Sequence, residues 1–197
     1  MVGRLLNDRR HVTNESDSYA LEEALLIKES SELDVEVVVA TVGNDESLQS
    51  IKDCLSKGAD RAIHLSDEKF IDLDSLALSK ILKKTLEEES FDIILSGLQS
   101  DDMGNGQLGI LLSEHLDTSH ASLAMETKLS GSETIKVKRE LEAGWFQWTT
   151  LTLPASITIQ SGINKPRYAS LRGIMMMKKK PVKVVTSKDL DVDINQM

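Results

Sequence analysis

The strongest constraint on the fold is an alternation of two periodicities in the first two thirds of the chain. Residues 35–42, Val-Glu-Val-Val-Val-Ala-Thr-Val, are a near-continuous β-branched run, the pattern of a strand buried on both faces. Residues 61–65 and 91–96 are two more short apolar runs. Helical spacing fills the gaps. Residues 19–28 place Ala20, Ala24, Leu25 and Ile27 on one face, with Glu22 and Glu23 facing outward. Asn44 and Asp45 cap a helix over 46–57, which Gly58 closes. Asp74 begins another, reaching residue 88, and a glycine-rich loop after residue 96 leads into a helix ending near 116. This β-α-β-α-β order predicts an α/β fold: a doubly wound, mostly parallel, Rossmann-like sheet with helices on both faces. Beyond residue 120 the texture changes to short strands at 123–129, 134–141, 147–153 and 157–159. Turn signals at Ser130-Gly-Ser132 and Ala143-Gly144 separate them, so the C-terminal third adds short antiparallel strands. No buried strand precedes Val35. Either Val2 to Leu6 is a poor edge strand, or the opening strand is missing from this chain, with a shortened N-terminus and a partner that supplies the strand as the two explanations.

Composition narrows the function. The chain has 197 residues and a net charge of −9, which disfavours non-specific nucleic-acid binding. The length fits one domain over 1–197. No apolar run is long enough for a membrane span and no targeting peptide opens the chain, so the expectation is a soluble, cytoplasmic protein of prokaryotic type. The single cysteine, Cys54, excludes an intramolecular disulfide and reads as a buried thiol. His11, His64, His115 and His120 show no metal spacing, and no catalytic constellation stands out. Trp145 and Trp148 flank a strand and are expected to pack.

Two segments carry functional expectations. Gly97-Leu-Gln-Ser-Asp-Asp-Met-Gly-Asn-Gly-Gln-Leu-Gly109 lies between a strand and a helix, where parallel folds bind ligands. Glycine-released amides backed by a helix N-terminus suit phosphate. The embedded Gly104-Asn-Gly-Gln-Leu-Gly109 spells G-x-G-x-x-G, but seven residues separate it from Ser96, whereas the dinucleotide fingerprint starts at the strand end. The second segment, Asn164-Lys-Pro-Arg-Tyr-Ala-Ser-Leu-Arg-Gly-Ile-Met-Met-Met-Lys-Lys-Lys-Pro181, combines a Pro-set turn, one aliphatic anchor, adaptable methionines and a basic rim. That combination suits a surface gripped by other proteins.

This second segment resembles the recognition-loop signature of the electron transfer flavoprotein beta-subunit family, roughly Asn-Glu-Pro-Arg-Tyr-Ala-x-Leu-x-x-Ile-Met-x-Ala-Lys-Lys-Lys. The glycine loop is similar to the family's Gly-Arg-Gln-Ala-x-Asp-x-Asp-x-Gly-Gln-x-Gly, with Gly97, Gln99, Asp102, Gly106, Gln107 and Gly109 matching. Ser100 stands for Ala and Gly104 for a second Asp. Asn14-Glu-Ser-Asp17 running on to Ala24, Lys57-Gly-Ala-Asp-Arg-Ala-Ile-His64, Arg139-Glu140 and Leu153-Pro-Ala155 resemble further family elements in the same order. The resemblance covers residues 14–180. The family's first strand and its C-terminal arm have no counterpart here.

The resemblance implies an adenine nucleotide alpha hydrolase-like domain divided into a nucleotide-binding part (14–120), a β-rich part (121–160), a recognition loop and helix (161–181) and a tail (182–197). It implies AMP, or a second FAD in electron-bifurcating members, held by Asn14, Asp17, Val42, Gly97, Gln99, Ser100, Asp102, Gly104, Asn105, Gly106, Gln107 and Leu108. Redox chemistry would rest on FAD held mainly by an alpha subunit, so the chain would be an electron carrier rather than an enzyme. Arg167, Tyr168, Leu171, Ile174 and Met175 would contact acyl-CoA or other flavin dehydrogenases, with Leu171 as anchor, and a quinone oxidoreductase would accept the electrons. Glu140 would position the flavin domain. Two other readings are a stand-alone nucleotide-binding regulatory module of universal-stress-protein type, which leaves 164–181 unexplained, and an NAD-dependent dehydrogenase, which lacks a catalytic pair.

Overall fold

The structure, a computed structural model, describes residues 12–70 and 73–190. Helix α1 (Glu15–Ser30) leads to strand β1 (Val38–Val42), α2 (Leu48–Lys57), β2 (Arg61–Leu65), α3 (Ser75–Leu86) and β3 (Ile93–Gly97). Helix α4 (Leu108–His115) precedes β4 (Ser119–Ser130), β5 (Thr134–Glu140), β6 (Phe146–Thr152) and β7 (Ala155–Ile159). Helix α5 (Leu171–Met177) and strand β8 (Val182–Val185) follow. The fold is α/β and mostly parallel, as the alternation predicted. The expectation for residues 2–6 lies outside the described residues.

The helix boundaries follow their capping chemistry. The Asp74 side chain accepts from the Ala77 amide at 2.8 Å to start α3, and the Ser170 hydroxyl accepts from the Gly173 amide at 3.0 Å to start α5. Gly58 ends α2 at φ 144°, a region L side chains avoid. Helix α1 begins four residues before the apolar spacing suggested, with Glu15 and Asp17 in its first turn and Lys28 in its last, complementing the helix dipole.

Two sheets form rather than one. The first has the order β1-β2-β8, all parallel; the second runs β3-β7-β4-β5-β6, parallel as far as β4 and antiparallel beyond. Strand β8 overturns the reading of residues 182–197 as a tail: Ala62 to Leu65 of β2 pair with Val182 to Val185. Only Val185 of that strand is buried, so its pattern carried little apolar signal. Residues 191–197 lie outside the described residues.

Three apolar clusters hold the layers together. One joins Leu21 and Leu25 of α1 to Val37, Ala62 and the α2 residues Ile51, Cys54 and Leu55. A second joins Ala20 to the sheet of β4, β5 and β7 through Ile135, Val137, Ile157 and Ile159. The third packs Ile81 and Leu82 of α3 and Leu112 of α4 on Ile63 and Leu65. Each fully buried aliphatic side chain here contributes about 1.5–3 kcal/mol relative to exposure.

Candidate functional site: a glycine loop at the strand ends and an exposed apolar helix

The carboxyl ends of the parallel strands gather the cradle. Gly97 closes β3 opposite Ile159 of β7, and Val42 closes β1. The N-terminus of α1 is tied to this end. The Asn14 Nδ2 donates to the Gln99 carbonyl (2.9 Å), Ser16 Oγ (2.8 Å) and Asp17 (3.1 Å), and its Oδ1 accepts from the Asp101 amide (2.8 Å). Ser16 Oγ donates to the same Gln99 carbonyl at 2.9 Å. The Gly97 amide donates to Asp17 Oδ1 at 2.5 Å. Burial pushes the Asp17 carboxyl above its ordinary range, and the Gly97 hydrogen bond only partly offsets that. A side chain at Gly97 would collide with Ser16 Oγ and the Asp17 amide, so this approach requires glycine.

The loop then folds on itself. Ser100 accepts from the Gly104 amide through its carbonyl (2.9 Å) and from the Asn105 amide through its hydroxyl (3.1 Å). Asp102 accepts from the Met103 amide at 2.7 Å, and Gly104 sits at φ 68° in open space. Residues 101–107 are exposed, and Gln107 stands at the N-cap position of α4 without a side-chain capping bond, so the first-turn amides have no intrahelical acceptor. Asn14, Asp17, Gly97, Gln99, Ser100, Asp102, Gly104, Asn105, Gly106, Gln107 and Leu108 therefore share one face of the fold. Val42 lies at the carboxyl end of the other sheet. Asp101 was not among the expected residues, yet its carboxylate accepts from the Glu15 amide at 2.6 Å and staples the loop to α1. Eighty-six positions separate that pair, so no local pattern marks it.

Glu140 ends β5 and accepts from Gln160 Nε2 at 3.1 Å, directly after β7. It thus lies toward the same sheet end as Gly97.

Residues 164–181 are pinned from beneath and open above. Arg167 pairs with Glu22 through Nε at 2.9 Å and with Glu29 through Nη1 at 2.5 Å, and its amide donates to Glu22 at 3.0 Å. The two carboxylates hold the guanidinium above its already high ordinary pKa, and Arg167 in turn pulls Glu29 below its own. Asn164 Nδ2 donates to Glu23 (2.9 Å) and to the Tyr19 carbonyl (3.1 Å), and Thr127 donates to Glu23 at 2.6 Å. The outward placement expected of Glu22 and Glu23 is thus incorrect: both are buried, because these donors replace water around them. Downstream, Gly173 lies so close to the Ser56 carbonyl that a Cβ would overlap it. Met177 packs into the α1–α2 cluster, and Lys180 Nζ donates to the Leu55 and Ala59 carbonyls at 2.9 and 2.5 Å, capping α2.

What remains outside is an apolar set beside the exposed Arg172, Lys178 and Lys179. Tyr168 is 93% exposed, Leu171 83%, Met175 73% and Ile174 45%. Leu171, Ile174 and Met175 fall at i, i+3 and i+4, one face of α5. Arg167 is the exception among the five expected contact residues, since its guanidinium is engaged by α1. Trp145 and Trp148 also depart from expectation. They are 72% and 46% exposed, with Lys128 Nζ 4.7 Å from the Trp148 ring centre and Lys138 Nζ 4.5 Å from that of Phe146. They border the free edge of the five-stranded sheet, where no helix covers them.

Cys54 is buried, and burial raises its thiol pKa. Among the described residues no group of three His, Cys, Asp or Glu side chains is placed to hold a metal ion, and no helix is long and apolar enough to cross a membrane.

These features define a class: a parallel α/β domain with a glycine loop at its strand ends and a rigidly mounted apolar helix on its flank. The family profile described as the electron transfer flavoprotein domain matches residues 3–190. The electron transfer flavoprotein subunit beta of Methylophilus methylotrophus is 40% identical over 185 residues, covering 93% of this chain and 70% of that protein. The Bradyrhizobium diazoefficiens subunit beta is 40% identical over 181 residues, covering 92% and 71%. The Bos taurus subunit beta is 34% identical over 195 residues, covering 98% and 75%. The chain belongs to the electron transfer flavoprotein family, on its beta-subunit branch.

Proposed function

We propose that this chain pairs with an FAD-bearing alpha subunit, holds AMP in the cradle, and presents α5 to dehydrogenases that donate electrons. The observation that carries this reading is the exposed face of Leu171, Ile174 and Met175 on a segment fixed by Arg167, Asn164 and Lys180. A preorganised apolar anchor loses little side-chain and backbone freedom on docking. Tyr168 and Leu171 fill the partner's surface, and Met175 adapts to differently shaped partners. Arg167 acts as a positioning residue.

The cradle's donor set fits an adenine nucleotide. The amides heading α4 from Leu108, with those of Gly106 and Gln107, suit a phosphate, and Asp102 is an exposed acceptor suited to a ribose hydroxyl. Asn14 and Asp17 hold the loop in place. Glu140, at the end of β5, positions the flavin-bearing domain in this reading. FAD, when bound between the subunits, supplies the redox chemistry; this chain orients it and selects its donors. The chain is then an electron carrier without catalytic residues of its own, working in the cytoplasm and passing electrons to a quinone oxidoreductase. A stand-alone regulatory module would share the cradle but has no use for the mounted α5.

Mass spectrometry of nucleotides released from the denatured heterodimer tests this. AMP together with one FAD is the expected result. Two FAD molecules would show that a second flavin replaces AMP. A colourless monomer indifferent to an alpha subunit would overturn the carrier reading.

A further inference from the structure

Strands β4, β5 and β6 make the antiparallel end of the five-stranded sheet, and its two faces have unlike surroundings. Residues directly opposite in the register share a face. One face carries Thr127, Leu129, Ile135, Val137 and Leu151, which lie against α1 through Ala20, Glu23 and Ile27. The other carries Glu126, Lys128, Lys136, Lys138, Phe146 and Trp148. Among the described residues nothing covers that second face: Lys128, Lys136, Phe146 and Trp148 are exposed. A solvated face of an antiparallel sheet is ordinarily polar, and the lysines fit that rule. Trp145, Phe146 and Trp148 do not. They form a contiguous apolar strip that includes both tryptophans of the chain.

The lysines decide what this strip can take. Lys128 lies over the Trp148 ring and Lys138 over the Phe146 ring. An ammonium held on a ring keeps its charge and its hydrogen-bond donors. Glu126 bonds Lys128 at 2.7 Å and lies 4.0 Å from Lys138, so one carboxylate serves two cations. Lys136 stands directly opposite Lys128 in the register and has no ion pair among the described residues. Like charges placed directly opposite across a strand pair repel, and a bound anion relieves them. Glu140, at the end of the face, is engaged by Gln160. The face is thus locally basic on a chain of net charge −9.

We propose that this face docks an acidic polypeptide surface, whose carboxylates meet Lys128, Lys136 and Lys138 while its apolar side chains cover Trp145, Phe146 and Trp148. Other occupants fit less well. A second copy of the chain would set the same three lysines against each other. A nucleic-acid strand needs ring faces free for base stacking, and Lys128 and Lys138 already lie over two of the rings. The surface is separate from α5. Asn164 and Arg167 are tethered to α1, and α1 lies against the opposite face of this sheet, so both surfaces can be occupied together. The partner docked here is therefore additional to the one that meets Leu171, and its absence would leave the carrier reading untouched.

The tryptophans at 145 and 148 are the only two in the chain, so intrinsic fluorescence reports on this face alone. The probe is a capped peptide, Glu-Val-Glu-Val-Glu-Val-Glu, titrated into the full 197-residue chain at low salt. Emission should shift to the blue, and acrylamide quenching should fall at least about twofold as the rings leave water. Raising salt to about 0.2 M should weaken binding at least about threefold. Lys136→Glu together with Lys138→Glu should weaken it at least about tenfold. Lys136→Glu alone, at an exposed position without an ion pair, should give a smaller loss with unfolding unchanged, which separates charge from folding. Absence of a spectral change with the acidic peptide would overturn the proposal. So would an equal response to the same peptide with lysine in place of glutamate, or full binding by the double variant. Displacement of the peptide by oligothymidine would identify a nucleic-acid site instead. Tryptophans already protected in a dimer of the free chain, seen by sedimentation, would identify a second copy as the occupant.

Discussion

Helix α1 ties down the two regions proposed to hold a nucleotide and to dock partners, and does so by different means. Its first turn organises the cradle with short polar side chains, Asn14, Ser16 and Asp17, which bond to backbone groups of the loop. Its middle organises the docking segment with long carboxylates, Glu22, Glu23 and Glu29, which bond to the side chains of Arg167 and Asn164. The cradle needs exact backbone placement next to a ligand, and short side chains at a helix N-terminus supply it. The docking segment must hold an apolar face toward water, which opposes burial. Charged tethers from the helix counter that tendency and fix the segment from below.

This contrast orders the predictions. Arg167→Met should have the largest effect, because it leaves the buried Glu22 carboxylate unpaired. A loss of about 2–4 kcal/mol is expected in urea unfolding, with reduced dehydrogenase turnover and unchanged nucleotide content. If stability is unaffected, the tether is not what holds the segment. Leu171→Ala should come next and separate function from stability. Unfolding should shift by less than about 0.5 kcal/mol, while electron transfer from a dehydrogenase falls about 30-fold. Equal transfer by variant and wild type would remove Leu171 as the anchor. Asn14→Ala removes four hydrogen bonds at the cradle, some to exposed groups that water can replace. It should cost about 1–2 kcal/mol and weaken nucleotide retention about tenfold, leaving dehydrogenase docking intact. A docking defect in that variant would show that the two regions are coupled through α1.

The same contrast explains what was legible in the sequence. The alternation of buried runs and helical spacing was readable where Ala62, Ile63 and Leu65 fill a covered strand; β7, which read as one of the short antiparallel strands, pairs in parallel with β3 and β4 and buries Ser156 and Thr158 among its apolar residues. Strand β8 was not readable, since three of its four residues are exposed and its identity depends on pairing with β2. Glu22 and Glu23 looked solvent-facing because charge alone carries no record of a partner more than 140 residues away. The exposure of Leu171 was readable from its polar neighbours; the inward turn of Arg167 was not, since an arginine beside an exposed leucine looks the same whether it faces a partner or a helix. Trp145 and Trp148 were misjudged because aromatic content favours burial, and only the sheet order reveals that β6 is an uncovered edge.

The smallest predicted effect is also the most discriminating, because the two regions respond to acid with opposite signs. Glu29 has its pKa lowered, first by hydrogen bonding to Arg167, so its folded value lies below its unfolded 4.5. Its contribution is fully present above that unfolded value and is lost as pH falls through the folded one. Asp17 has its pKa raised by burial, so its folded value lies above its unfolded 3.8. Keeping Asp17 charged costs stability above the folded value, and that cost disappears as pH falls below 3.8. Acidification from pH 6 to pH 3 should therefore loosen the Arg167 tether while relieving the cradle. Amide exchange corrected for intrinsic pH dependence should speed up at Arg167, whose amide bonds to Glu22, and hold or slow at Gly97, whose amide bonds to Asp17. Salt near 1 M should mimic the effect at Arg167, because Glu29 is exposed and screened, and leave Gly97 unchanged. Parallel behaviour of the two amides would mean that α1 responds as one body and that the difference in tether chemistry has no consequence.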